Sequence, residues 1–98
     1  MIRYTTPTDA FSIAGKDLTA TDVYVTYEQD GNVLTLRPET LEYDGEKTSL
    51  TVSLTQLQTA SFEVGWCDVQ VNWVVDGARN ATCVKRIPVG TNLLEEEL

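Results

Sequence analysis

Histidine is absent from this 98-residue sequence. Its absence removes the commonest general base, the Ser-His and Cys-His nucleophile pairs, and most zinc sites. Basic side chains are scarce as well. Seven Lys and Arg stand against fifteen Asp and Glu, a formal charge of −8, so phosphate backbones are repelled and a nucleic-acid partner is not expected. The one local basic pair, Lys85-Arg86, is too small for a binding stripe and reads as a solvated strand edge. The six glycines stand singly, in no phosphate-binding pattern. No uninterrupted apolar run approaches a membrane span, and M-I-R-Y-T-T-P-T-D lacks the apolar core of an export signal. A soluble chain made without export, with no membrane partner, is the expectation.

Cysteine is limited to Cys67 and Cys83, too few to close a tetrahedral metal site. A chain that is not exported meets a reducing compartment, so free thiols are expected. For the same reason the sequon Asn80-Ala81-Thr82 reads as a chance match in a polar loop.

What the sequence does contain is alternation. Thr, Val, Tyr and Leu recur in short segments punctuated by Gly, Asp and Pro, with no sustained helical spacing. Strands are predicted at Ile2 to Thr6, ended by Pro7, and at Ala10 to Ala14, with Phe11 and Ile13 on one face. Val23, Val25 and Tyr27 alternate with polar residues, Asp30-Gly31-Asn32 supplies positive-φ positions, and Val33 to Leu36 returns, which predicts a hairpin. Leu41 and Tyr43 form a short strand before a second turn at Asp44-Gly45, and Leu50, Val52 and Leu54 alternate strictly. Thr55-Gln56-Leu57-Gln58 has the form of a capping box and predicts a single helical turn bridging two sheets. Ser61 to Val64 is predicted as a short edge strand ended by Gly65.

In Cys67 to Val75 the odd positions are all apolar, namely Cys67, Val69, Val71, Trp73 and Val75, which marks a central strand. Thr82 to Val89 is its return, with Cys83, Ile87 and Val89 in phase. With Asp76 to Asn80 as the turn, residue 73 faces 83 and residue 67 faces 89. The two cysteines are then on the order of 20 Å apart, well beyond disulfide reach. About seven or eight strands at intervals of roughly ten residues predict an all-β fold, an antiparallel immunoglobulin-like β-sandwich, with a small closed barrel as the alternative. One domain, residues 1–90, is followed by an acidic tail, residues 91–98.

Carboxylates are plentiful, yet Asp30-Gly31-Asn32 and Asp44-Gly45-Glu46 lack the alternating ligand series of a calcium loop and read as turns. No acid pair is marked out for glycoside hydrolysis. No catalytic residue, cofactor or metal ligand is assigned, and an enzyme is not expected. Trp73 lies in phase with the core. Trp66 and Val74 lie on the opposite face, and an exposed Trp66 becomes a candidate contact with a partner. In the tail Asn92 could cap a helix with Glu95 at its third position, but three successive glutamates oppose the helix dipole, so a mobile or extended arm is predicted. Leu93, Leu94 and Leu98 gain burial only by docking on the domain or on a neighbour, which makes them further candidate partner contacts.

Read together, T-T-P-T-D-A-F-S-I, V-Y-V-T-Y-E-Q-D-G-N-V-L, L-T-V-S-L-T-Q, V-Q-V-N-W-V-V-D-G-A-R-N-A-T and the closing V-G-T-N-L-L-E-E-E-L resemble small structural proteins of tailed phages and prophages. The pattern is similar to the immunoglobulin-like N-terminal domain of phage upper-baseplate proteins. Those proteins continue into stalk and receptor-binding parts that have no counterpart in this sequence. The resemblance implies a virion component assembled in the host cytoplasm without cofactor, binding other virion proteins in a symmetric array as a tail or baseplate module. Capsid decoration, head-fibre attachment, or a carbohydrate- or cell-surface-binding module that uses Trp66 beside Tyr24 or Tyr43 are the alternatives.

Overall fold

The computed structural model describes residues 1–12, 22–38, 42–43, 49–75 and 77–98. Among these residues the strands are β1 (Thr8–Ser12), β2 (Asp22–Gln29), β3 (Asn32–Leu36), β4 (Glu42–Tyr43), β5 (Ser49–Ser53), β6 (Gly65–Val75), β7 (Ala78–Ala81) and β8 (Lys85–Val89), and a short helix, α1 (Gln56–Ala60), lies between β5 and β6. They form two antiparallel sheets. The smaller has the order β1-β5-β4, and the larger β3-β2-β6-β7, with β8 also paired to β6. This is an all-β, immunoglobulin-like sandwich in which β1, β5 and β4 correspond to strands B, E and D, and β3, β2, β6 and β7/β8 to C′, C, F and G.

The alternation that predicts the strands also builds the core. Val23, Val25 and Tyr27 of β2 and Cys67, Val69, Val71 and Trp73 of β6 turn inward from the large sheet, while Leu50 and Val52 of β5, with Leu54 just beyond it, meet them from the small one. Asp30 and Gly31 both adopt positive φ, 47° and 88°, and Gln29 pairs with Asn32, so the β2–β3 turn is the tight two-residue kind that matches strand twist. At α1 both halves of the predicted capping box are present. Gln58 N donates to Thr55 Oγ1 at 3.1 Å, and Thr55 N donates to Gln58 Oε1 at 2.8 Å. β6 is the central strand, paired along one side with β2 and along the other with β7 and β8.

Several expectations are corrected. Ile2 to Thr6 is not a strand. Ile2 makes a single parallel bridge to Gly90, and then Tyr4, at φ 59°, turns the chain, with Thr5 Oγ1 donating back to Ile2 O at 2.6 Å. β1 begins at Thr8, earlier than predicted, and residues 13–14 of the predicted span lie outside the described residues, as do Leu41 and Asp44-Gly45. Ser61 to Val64 is not an edge strand, because the N–H groups of Ser61 and Phe62 donate to carbonyls of α1, and that of Glu63 donates to the Gln29 side chain.

The return strand is broken in two. β6 pairs Trp73 with Asn80 but Cys67 with Ile87, so the return chain holds one extra residue between those points. Thr82 occupies the break: its N–H donates to Val71 O at 2.9 Å, and its hydroxyl accepts from Val71 N at 3.1 Å in place of a ladder carbonyl. Two consequences differ from the sequence reading. The turn is shorter, because Val75 already pairs with Ala78, and Cys83 falls out of phase with the core and is exposed. Asn80 of the sequon sits within β7 rather than in a loop.

The tail is also held rather than free. Asn92 Nδ2 donates to Arg3 O at 3.0 Å, Glu95 pairs with the Arg3 guanidinium, and Leu98 and Gln56 exchange two bonds, Leu98 N to Gln56 Oε1 at 2.7 Å and Gln56 Nε2 to Leu98 O at 3.0 Å. Asn92 caps no helix. Its Oδ1 instead accepts from Leu94 N at 3.1 Å, a local turn.

Candidate functional site

The even-numbered residues of β2 and β6 face away from the core and floor the outer surface of the large sheet. Across that surface Tyr24 stands opposite Asn72, Thr26 opposite Gln70, and Glu28 opposite Asp68. Among the described residues, three neighbouring clefts open on this floor. At one end a cleft of about 290 Å³ is lined by Tyr24, Thr26, Thr35, Asn72, Val74 and Arg79. At the other, a cleft of about 330 Å³ is lined by Glu28, Gln29, Asp30, Trp66, Asp68 and Arg86. Between them a smaller one of about 140 Å³ is lined by Thr26, Glu28, Asp68, Val69, Gln70 and Val84.

Polar bonds fix most of this floor. Thr26 and Thr35 share a hydroxyl bond at 3.2 Å, Gln70 Nε2 donates to Thr82 O at 2.9 Å, and Arg79 Nε donates to Asn72 Oδ1 at 3.2 Å. The Arg37 guanidinium lies 5.8 Å from the centre of the Tyr24 ring. In the Trp66 cleft Arg86 Nε donates to Asp68 Oδ1 at 3.1 Å, and Gly31 N donates to Glu28 Oε1 at 2.9 Å.

Trp66 itself is 60% exposed, an unusual placement for so large an apolar group. The segment before it is tied to the β2–β3 hairpin. Gln29 Nε2 donates to Glu63 O at 2.7 Å and to Trp66 O at 3.1 Å, Gln29 Oε1 accepts from Glu63 N at 2.7 Å, and Asn32 Nδ2 donates to Ser61 O at 2.8 Å. The ring is therefore presented from an anchored backbone.

Of the sequence-derived candidates, Trp66 and Val74 share the outer face but line different clefts at opposite ends of β6, and Val74 is half-buried. Tyr24 belongs with Val74 rather than with Trp66, and the Tyr43 side chain lies outside the described residues. Leu93, Leu94 and Leu98 are exposed, near the end of the sandwich that carries α1. In the sequence Asp30 reads only as a turn residue and Glu28 and Asp68 carry no signal, because only the pairing of β2 with β6 sets the three around Trp66. Trp73 is a core residue. Among the described residues no three or more Cys, Asp or Glu side chains are gathered as a metal site would require, and no helix is long and apolar enough to cross a membrane.

The two thiols are free and differ in environment. Burial pushes the Cys67 thiol above its ordinary pKa, whereas Cys83 is exposed. Alkylation of the native protein with iodoacetamide, followed by intact-mass spectrometry, is expected to add one label, at Cys83. A second label, at Cys67, is expected only under denaturing conditions. Rapid double labelling of the native protein would contradict this burial.

No family model matches this chain, and no curated protein matches it. Among solved structures it is similar to a protein of Bacteroides vulgatus described as a "putative glycoside hydrolase", with a TM-score of 0.54 and 10% sequence identity over 93% of this chain. The chain spans 16% of that protein's length. At this identity the likeness concerns the fold alone.

Proposed function

We propose that this chain is a non-enzymatic structural module that acts through protein–protein contacts. The assignment extends to the phage-virion role that its sequence resemblance implies, in a tail or baseplate assembly with other virion proteins. The observation that carries the reading is the disposition of the tail. The Asn92 and Glu95 side chains bond to Arg3 and the Leu98 backbone bonds to Gln56, yet Leu93, Leu94 and Leu98 remain 101%, 50% and 82% exposed. Ordering a segment costs conformational entropy, and here that cost is met without burying the segment's apolar groups. Three leucines left outward on an anchored segment form a surface prepared for a partner. Glu95, Glu96 and Glu97 are exposed beside them, so the complementary surface is an apolar patch edged with basic groups.

Replacing Leu93, Leu94 and Leu98 together by serine is expected to leave thermal unfolding of the isolated domain within about 0.5 kcal/mol, as for exposed positions generally. The same variant, co-expressed with the proteins encoded beside it, is expected to lose most of its incorporation into particles. Undiminished incorporation would remove the tail from the assembly contact.

A further inference from the structure

We propose that the Trp66 cleft is a receptor for an arginine side chain carried by a partner protein. This goes beyond the assembly role of the tail, since the cleft and the leucines are separate surfaces with separate tests.

Glu28 and Asp68 are direct cross-strand partners on the outer face, an arrangement of like charges that costs sheet stability. Asp30 adds a third carboxylate at the lip of the same cleft. Among the described residues the lining contains one cation, Arg86, whose bond goes to Asp68 and whose side chain is 64% exposed. Three carboxylates against one guanidinium leave the cleft with an excess of negative charge. The Glu28 carboxylate accepts from the Gly31 N–H at 2.9 Å.

The second element is the indole. Of the two tryptophans Trp66 is the exposed one, at 60% against 9% for Trp73, and its backbone is anchored through Gln29. An indole face beside carboxylates is the combination that recognises an organic cation. The ring quadrupole attracts the charge, and the carboxylates accept its N–H groups. Arginine fits better than lysine because its planar guanidinium stacks on the ring and presents several donors at once. A second copy of this chain fits poorly, since its formal charge of −8 would be brought against the same sign.

The test is a titration of the isotope-labelled protein with three blocked tripeptides, Ac-Gly-Arg-Gly-NH2, Ac-Gly-Lys-Gly-NH2 and the uncharged Ac-Gly-Gln-Gly-NH2, and with a neutral β-glucan oligosaccharide, following the indole N–H of Trp66 by NMR. The arginine peptide is expected to shift that signal and the Gly31 amide saturably, several-fold more tightly than the lysine peptide. The glutamine peptide is expected to have no saturable effect. Trp66→Leu is expected to weaken the arginine peptide about tenfold, and Glu28→Gln or Asp30→Asn about threefold each. The Trp73 indole signal, unmoved in each variant, confirms an intact fold. Raising the salt should weaken binding. Equal shifts from the glutamine peptide, tighter binding of the oligosaccharide, concentration-dependent self-association through this face, or no saturation by the arginine peptide would each overturn the proposal.

Discussion

Replacing Tyr27 by alanine is expected to destabilise the domain by about 3–5 kcal/mol, the range for removing a large aromatic from a packed interior. Native domains of this size have roughly 5–15 kcal/mol in total, so a large part of the stability is lost and some of the chain unfolds at ambient temperature. Tyr27 is completely buried on β2, and its ring meets Phe62 at 6.4 Å between centroids, tilted by 56°. Its hydroxyl crosses to the other sheet and donates to Asp9 Oδ2 at 2.5 Å. Tyr27→Phe keeps the ring and removes that bond, leaving a part-buried carboxylate without its donor. About 1–2 kcal/mol is expected for this change.

The hydroxyl also gives a pH signature. Burial, then the bond to Asp9 and its charge, hold the Tyr27 phenol protonated far above its usual range. The folded state therefore binds this proton more tightly than the unfolded chain. The stability it contributes is fully present below the unfolded pKa of about 10 and is lost as pH rises beyond it. Burial of the Cys67 thiol acts with the same sign, beginning as pH passes the ordinary thiol pKa of about 8.5. Urea unfolding at pH 8 and at pH 10.5 is expected to show the wild type losing more stability than Tyr27→Phe, so that the gap between them narrows. A gap that widens with pH would show that the phenol is not held protonated by the fold.

The parts of this architecture that the sequence makes legible are those governed by neighbours in the chain. Val23, Val25 and Tyr27 alternate with polar residues because one face of β2 is wet, and the same period in Cys67 to Trp73 marks the central strand. The capping box at Thr55 and Gln58 and the Asp30-Gly31 turn are local devices whose residue types name their conformations. What escapes is set by distant partners. Thr82 lends its hydroxyl to Val71 N, so a strand that reads as continuous breaks there and Cys83 turns outward. Tyr4 takes a positive φ that nothing in Ile2 to Thr6 announces. Periodicity put Trp66 on the face opposite the core without saying whether that face is covered. Its exposure depends on Gln29 and Asn32 pinning residues 61–66 from across the sheet.

Arg3 is the clearest long-range case, and its replacement by alanine is expected to cost about 2–4 kcal/mol, since bonds from a charged donor to part-buried carbonyls are worth roughly 1.5–3 kcal/mol each. Its Nε donates to Phe62 O at 2.7 Å and its Nη2 to Ala60 O at 3.0 Å, so one planar group satisfies the carbonyls at the end of α1 and just beyond it. Its backbone accepts from Asn92, and its remaining nitrogen pairs with Glu95. Next to it the buried Thr59 hydroxyl donates to Thr5 O at 2.9 Å and accepts from Thr5 N at 3.1 Å. The first residues, the α1 turn and the tail therefore meet at one side chain. Arg3→Lys is expected to recover less than half of the loss, because an ammonium cannot span the two carbonyls as a fork does. Glu95→Ala should stay within about 0.5 kcal/mol, the usual value of a surface ion pair. Urea unfolding of the three variants, with amide exchange followed at residues 91–98, separates the contributions. Arg3→Ala should speed exchange throughout the tail and lower global stability, whereas Glu95→Ala should affect the tail alone. Equal and small effects from both variants would reduce Arg3 to a surface ion pair and leave the tail's outward leucines without the anchor that the assembly reading requires.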